Sequence, residues 1–224
     1  MFFSYMNKNL FLTASMLVNF INHKHLIIDE FKEKLLNIKK SEKTVVDNLR
    51  IKNGLIHEEN YFKELSKKYK KIKNIKILNK LSIEEKIKET NDALKKGYEL
   101  IYGGWLKSGN FRGELDFLEI NNNVKSNLGN WSYEIIDTKN SAKVKGDHIY
   151  QLSLYSFLLQ EAQGVFPKYF YVLLKDKSKV LIPLNDVYAS FLKQKNYFEK
   201  FMENELNRKI LEKISYCSLR DIQE

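Results

Sequence analysis

Cysteine is almost absent: Cys217 stands alone in the chain. One thiol forms no internal disulfide and cannot by itself build a zinc knuckle or an iron–sulfur centre. A reducing cytoplasm is therefore the expected setting. Proline occurs twice and glycine nine times in 224 residues, too few for long disordered linkers. Long apolar runs are also missing. The stretch from Met1 to Asn22 begins apolar, but Asn7, Lys8, Asn9, Thr13, Ser15 and Asn19 interrupt it. No membrane span is expected there, nor a signal peptide, since no clean apolar core precedes a small-residue cleavage site. No Gly-x4-Gly-Lys-Ser/Thr loop occurs, which excludes an ATP-driven motor of that type.

What is present fits a soluble globular protein, with 43% apolar and 29% charged residues. The length suits one sizeable core better than two. Lysine and arginine outnumber acids, 38 to 28, and the net charge is +10. Such an excess draws polyanions, so nucleic acid is a natural partner, although a lysine-rich solvated surface explains the charge equally well.

Periodicity predicts a helix over Leu12–Ile21, with Thr13 as N-cap, and amphipathic stretches over Leu26–Ile38 and Lys43–Tyr69. The last of these is expected to break at Asn53–Gly54. Ser82 and Glu85 form a capping box that opens a helix to Lys95. Strands are expected at Tyr98–Leu106, Phe111–Ile120 and Trp131–Lys139, with a turn at Lys107–Asn110. A helix over Asp147–Gln163, a hairpin of Tyr169–Leu174 with Lys179–Pro183, and a long helix capped by Asn185 complete the chain. This order describes one α/β domain with a central mixed sheet flanked by helices. Its parts are a helical N-terminal segment (1–50), a catalytic core (51–183) and a C-terminal helix (184–224).

Alternation along strands places Glu114, Asp116 and Leu118 on one side of the second strand, with Leu115 and Phe117 on the other. In the third strand Asp137 and Lys139 share a side. Carboxylates on an apolar sheet are costly unless partnered. A Mg²⁺ or Mn²⁺ ion satisfies Asp116 and Asp137 with hard oxygen ligands, polarises a phosphodiester and acidifies a bound water. Lys139 then offsets the charge that grows on phosphate oxygens. An acidic-x-lysine triplet is a weak signal in so charged a chain, and its strength here comes from closing the apolar strand Tyr133–Ile136.

Gln151 and Tyr155 lie four apart on one helical face. Both can hydrogen-bond phosphate oxygens, or Gln151 can satisfy a loop carbonyl instead. Lys143 and Lys145 precede them in a basic loop, suited either to a nucleic-acid backbone or to solvent. His57 follows a glycine and precedes two acids, which leaves both a structural and a metal-proximal role open.

Taken together, these segments resemble the PD-(D/E)XK nuclease superfamily, in its RecB-like branch. The resemblance covers roughly Gly54 to Gln163. It rests on Gly54-Leu55-Ile56-His57-Glu58, Gly113-Glu114-Leu115-Asp116-Phe117-Leu118, Tyr133-Glu134-Ile135-Ile136-Asp137-Thr138-Lys139 and Gln151-Leu152-Ser153-Leu154-Tyr155, in that order. It implies a restriction-endonuclease-like core and hydrolysis of DNA phosphodiesters. Single strands or duplex ends are the implied substrates, in repair, recombination or defence, with RNA still open. It further implies metal ligation by His57, Asp116, Asp137 and the Thr138 carbonyl, and a catalytic role for Lys139. Gln151 and Tyr155 would position the phosphate or the lysine. A helicase or other repair subunit is the implied partner. Many relatives carry four cysteines for an iron–sulfur cluster. Here Phe20–His25 offers histidine instead and Cys217 is alone, so no cluster is expected. The competing readings are a catalytically inactive nucleic-acid-binding module of the same fold, and a structural protein whose basic helices dock a partner or an anionic membrane surface.

Overall fold

The computed structural model describes residues 11–24, 27 and 44–220, with side chains through 205. The elements run α1 (Ala14–Asn22), α2 (Val45–Lys68), β1 (Ile72–Asn74), α3 (Ile83–Lys95), β2 (Leu100–Ser108), β3 (Phe111–Asn121), β4 (Ser132–Thr138), α4 (Gly146–Gln163), β5 (Tyr169–Leu173), β6 (Lys179–Pro183) and α5 (Leu184–Arg220). The expected stretch Leu26–Ile38 lies almost wholly outside the described residues. Among the described residues, no helix is long and apolar enough to cross a membrane.

Most helix starts follow local chemistry. The Thr13 hydroxyl accepts the Met16 N–H at 3.3 Å. Ser82 and Glu85 close their box from both sides, at 3.3 Å and 2.8 Å. Three expectations need correction. Helix α2 runs unbroken through Asn53 and Gly54 for 24 residues. A side chain at Gly54 would meet nothing within 4 Å. One exposed helical glycine costs only ~1 kcal/mol, less than the cost of breaking a capped helix. Helix α5 starts at Leu184 directly from β6, so Asn185 lies inside its first turn rather than capping it. Strand β1 was not expected. It is three half-buried residues that exist as a strand only through parallel pairing with β2, Ile72 opposite Leu100.

The six strands form one mixed sheet in sequential order, β1 to β6. The pairs β1–β2 and β4–β5 are parallel and the others antiparallel. Each parallel pair needs a crossover, which α3 and α4 supply. The chain is thus an α/β protein with helices against a mixed sheet. Helix α1 packs on α4 and α5. Its Met16, Leu17 and Phe20 belong to the main core, so α1 is part of the same body as the sheet.

Two apolar clusters lie against the sheet. The main one includes Tyr133, Ile135, Leu154, Leu158 and Phe191. The second, under α2, is Leu65, Leu100, Tyr102, Phe117 and Ile136. There Phe62 stacks on Tyr102 and Tyr102 on Phe117, with centroids 4.3 Å and 5.0 Å apart.

Strict alternation fails in β3, and this corrects the expected faces. Leu115 joins the main core, Phe117 the second cluster, and Leu118 the main core again. Strand β2 changes sides in step: Tyr102 serves the second cluster and Leu106 the main one. Between the pairs Tyr102↔Phe117 and Gly104↔Leu115 lie Gly103 and Asp116. Gly103 has φ of 67°, a left-handed conformation that turns the strand over and that only glycine adopts without strain. The sheet therefore reverses its faces at Asp116.

Candidate active site

The β3–β4 ladder runs from Asn121↔Ser132 to Phe117↔Ile136. Past that pair, a side chain replaces the backbone ladder. Asp116 Oδ2 accepts the Thr138 N–H at 2.8 Å and the Thr138 hydroxyl at 2.7 Å. Both bonds hold Asp116 across the mouth where the strands part.

The next side chain of β4, Asp137, is 1% exposed. Its Oδ2 lies 2.5 Å from Lys139 Nζ. That ammonium is the partner of the buried oxygen. Burial pushes the Asp137 carboxyl up to about 7, with the Asp116 charge adding to the effect and Lys139 opposing it. Burial disfavours the Lys139 charge, but Asp137, Asp116 and Glu58 outweigh it and hold the ammonium above its ordinary value. Lys139 itself follows β4, and its N–H donates to the Leu173 carbonyl of β5 at 2.8 Å. The expected pairing of Asp137 with Lys139 is present.

Helix α2 contributes a residue with no expected role. Glu58 is 5% exposed and lies 2.5 Å from Lys76 Nζ. Burial and the Asp116 charge push its carboxyl up to about 7 against the pull of Lys76. Glu114 is also raised, by burial first and by Asp116, while Lys76 at 4.0 Å lowers it. Glu58 lay within a quoted motif, whereas Lys76 carried no local signal at all.

His57 does not join Asp116 and Asp137. Its Nε2 sits 3.5 Å from the Leu173 carbonyl, which already receives the Lys139 N–H. Among the described residues, no three His, Cys, Asp or Glu side chains form a ligand cluster. The structure places His57 against the Leu173 carbonyl. One helical step of ~100° separates His57 from Glu58, and it is Glu58 that faces the carboxylates. For Thr138, the groups engaged toward Asp116 are the hydroxyl and N–H.

On α4, Gln151 Nε2 donates to the Tyr155 hydroxyl at 3.0 Å. Burial raises the Tyr155 phenol, and the Asp137 charge adds to this, so it keeps its proton and can donate onward. Its ring lies flush on β3 because residue 113 is glycine: a Cβ there would stand 2.6 Å from Tyr155 Cε1. Lys143 and Lys145 are exposed in the preceding loop. The Lys145 N–H donates to His148 Nδ1 at 3.2 Å. Burial, with Lys139 and Lys145 adding, pushes His148 down to about 4, so the ring is neutral at physiological pH. A cleft of about 360 Å³ is lined in part by Thr13, Asn19, Arg112, Glu114, Gln151 and Tyr155; Asp116, Asp137 and Lys139 are not among its lining residues.

A divalent ion is the cofactor expected at these carboxylates; they are hard oxygen donors, while among the described residues no three His, Cys, Asp or Glu side chains are grouped to hold one. Asp137 Oδ2 is a hard, buried oxygen already paired with the Lys139 ammonium, and Asp116 is oriented by Thr138. Lys139 pairs with Asp137 and Lys76 with Glu58.

No protein-family model matches the chain, and no curated protein matches it. Among solved structures it is similar to one described as "Crystal structure of SSO0001", at 16% identity, over 80% of this chain and 85% of that one, with a TM-score of 0.29. A likeness of that size carries no argument about activity. The α/β class rests on the observed strands and helices.

Proposed function

We propose that the protein is a metal-dependent nuclease that hydrolyses phosphodiester bonds in DNA. The observation that carries this reading is the meeting of Asp116, Asp137 and Lys139 where β3 and β4 part, with the buried Asp137 carboxylate paired to the Lys139 ammonium. Carboxylates in that state are expensive to keep, and a site that must bind a cation gives a reason to keep them.

Asp116 and Asp137 would hold Mg²⁺ or Mn²⁺. The bound ion supplies Lewis acidity toward a phosphoryl oxygen and a more acidic water. The protein's own groups do the rest. Thr138 fixes the Asp116 carboxylate with two hydrogen bonds. Lys139, kept protonated by its acidic neighbours, faces the phosphate and offsets its growing negative charge. Gln151 orients the Tyr155 hydroxyl, which donates to a phosphate oxygen. Exposed Lys143 and Lys145 meet the strand's backbone beyond the cut. The net charge of +10 raises the local concentration of nucleic acid.

The test is cleavage of labelled single-stranded and duplex DNA with Mg²⁺, Mn²⁺ or EDTA. Asp137→Ala and Lys139→Ala should each abolish Mg²⁺-dependent cutting while circular dichroism stays unchanged. Full activity in either variant overturns the mechanism. Tight binding with no cutting under any metal would favour an inactive binding module.

A further inference from the structure

The cleft of about 360 Å³ beside Gln151 and Tyr155 has no task in the cleavage reading. Strand pairing explains why it is there. On the side away from β2, β3 bridges Leu12 at Phe111 and meets β4 only from Phe117 onward. Among the described residues, no strand pairs with that edge over 113–116. Helix α1 supplies Thr13 and Asn19 to one wall of the cleft, and α4 supplies Gln151 and Tyr155 to another. The two helices are tied by Asn22 Nδ2, which donates to Asp147 Oδ1 at 2.9 Å. The fold itself therefore holds the opening.

Two more lining residues, Trp105 and Arg112, carry chemistry that the fold does not use up. The indole N–H of Trp131 donates to the Leu94 carbonyl at 3.1 Å, whereas that of Trp105 has no acceptor among the described residues. Trp105 is half-buried, and its backbone N–H donates to the Thr90 hydroxyl at 2.9 Å. Its ring is thus a fixed apolar surface at the cleft. The Arg112 guanidinium lies 4.3 Å from the Phe11 ring centroid, a contact that orients the charge without neutralising it. No carboxylate pairs with it among the described residues. The two acids of the lining are engaged elsewhere, Asp147 by Asn22 and Glu114 by Lys76 at 4.0 Å. Arg112 is the lining charge left to meet an anion.

An aromatic ring for stacking and an unpaired guanidinium for a phosphate are the two groups that hold a single nucleic-acid strand without reading its sequence. The volume is at the small end for ligand sites and suits one nucleotide rather than a base pair.

We propose that the cleft is a subsite for one unpaired nucleotide of the substrate strand, with its base against Trp105 and its phosphate on Arg112. This rests on the nuclease reading, in which Tyr155, oriented by Gln151, donates to the phosphate that is cut. Both residues also line the cleft, so the nucleotide seated there is the one joined to that phosphate.

The experiment is binding of an oligothymidylate to the full chain in EDTA, read by fluorescence anisotropy, beside the same strand with abasic sugars in place of its bases. Trp105→Leu should weaken oligothymidylate binding about 10-fold or more and leave abasic-strand binding unchanged. Arg112→Gln should weaken both strands alike and lower the salt dependence by about one phosphate contact. In wild type, a strand carrying 5-iodouracil should photocross-link to the peptide that holds Trp105. No loss with Trp105→Leu, an equal loss on both strands, an unchanged salt dependence with Arg112→Gln, or a cross-link only outside the cleft would overturn the subsite and leave the nuclease reading standing. The wild-type cross-link decides if Trp105→Leu does not fold. Failure of wild type to bind either strand would remove the nucleic-acid reading itself, and the subsite with it.

Discussion

Replacing Asp137 by asparagine should stabilise the metal-free protein at neutral pH while ending its catalysis. The magnitude follows from the burial of this carboxyl. Its value rises from 3.8 in an unfolded chain to about 7 in the fold, chiefly because ionisation here leaves the charge out of water. At ~1.36 kcal/mol per tenfold change in proton affinity, a rise of this kind makes the cost of the charge at most on the order of a few kcal/mol. Water and side chains that relax toward the carboxylate lower that figure. Below about pH 4 the folded and unfolded chains both hold the proton, and the two proteins should be equally stable. Between there and about 7 the unfolded chain loses the proton while the folded chain keeps it. Stability of the wild type therefore falls as pH rises through this window. Asparagine has nothing to ionise, and its amide oxygen can face Lys139. The gap between variant and wild type should thus open across the window and level off above it. Urea unfolding in EDTA at about pH 5 and about pH 8 measures it directly. An Asp137→Asn protein less stable than wild type at the higher pH, or a gap that ignores pH, would refute the reasoning. Added Mn²⁺ should reverse the order by stabilising wild type alone.

Two glycine substitutions should separate local from tertiary constraint. Gly113→Ala drives a methyl into the Tyr155 ring and should cost ~1–3 kcal/mol in thermal unfolding, whereas Gly54→Ala, with open space around it, should gain ~0.5–1 kcal/mol. Equal effects would mean that Tyr155 is not seated on β3. Thr138→Val removes the 2.7 Å hydroxyl bond that orients Asp116 and should weaken Mn²⁺ binding roughly 10- to 100-fold by calorimetry. His57→Ala, by contrast, should change Mn²⁺ affinity by less than about twofold, because His57 faces the Leu173 carbonyl. A loss as large as that from Thr138→Val would restore His57 as a ligand.

Much of the architecture was legible because its causes are local. The Ser82–Glu85 box announces α3 within four residues of chain. Spacings of two and four place Asp137 with Lys139 and Gln151 with Tyr155, and both pairs are in contact. Local reasoning also misled where it met a rule that can be overridden. The Asn53–Gly54 pair looked like a break, yet the helix passes through it because nothing opposes its continuation. Alternation along β3 looked strict, yet the strand turns over at Asp116, because its neighbour Gly103 lies on another strand.

The same division runs through the site. By itself the sequence determined which strand ends carry Asp116, Asp137 and Lys139, and which helical face carries Gln151 and Tyr155. Side-chain direction along a regular strand or helix is set by backbone geometry and can be counted residue by residue, which held for β4 and α4 but not across Asp116, where β3 turns over. Only the tertiary structure decided that Glu58 rather than His57 faces the carboxylates, and that Lys76 enters beside them over a glycine. Those outcomes depend on where α2 and the turn after β1 dock on a sheet whose faces reverse. Docking is set by packing between residues far apart in the chain, such as Tyr102 between Phe62 and Phe117, which no local period records.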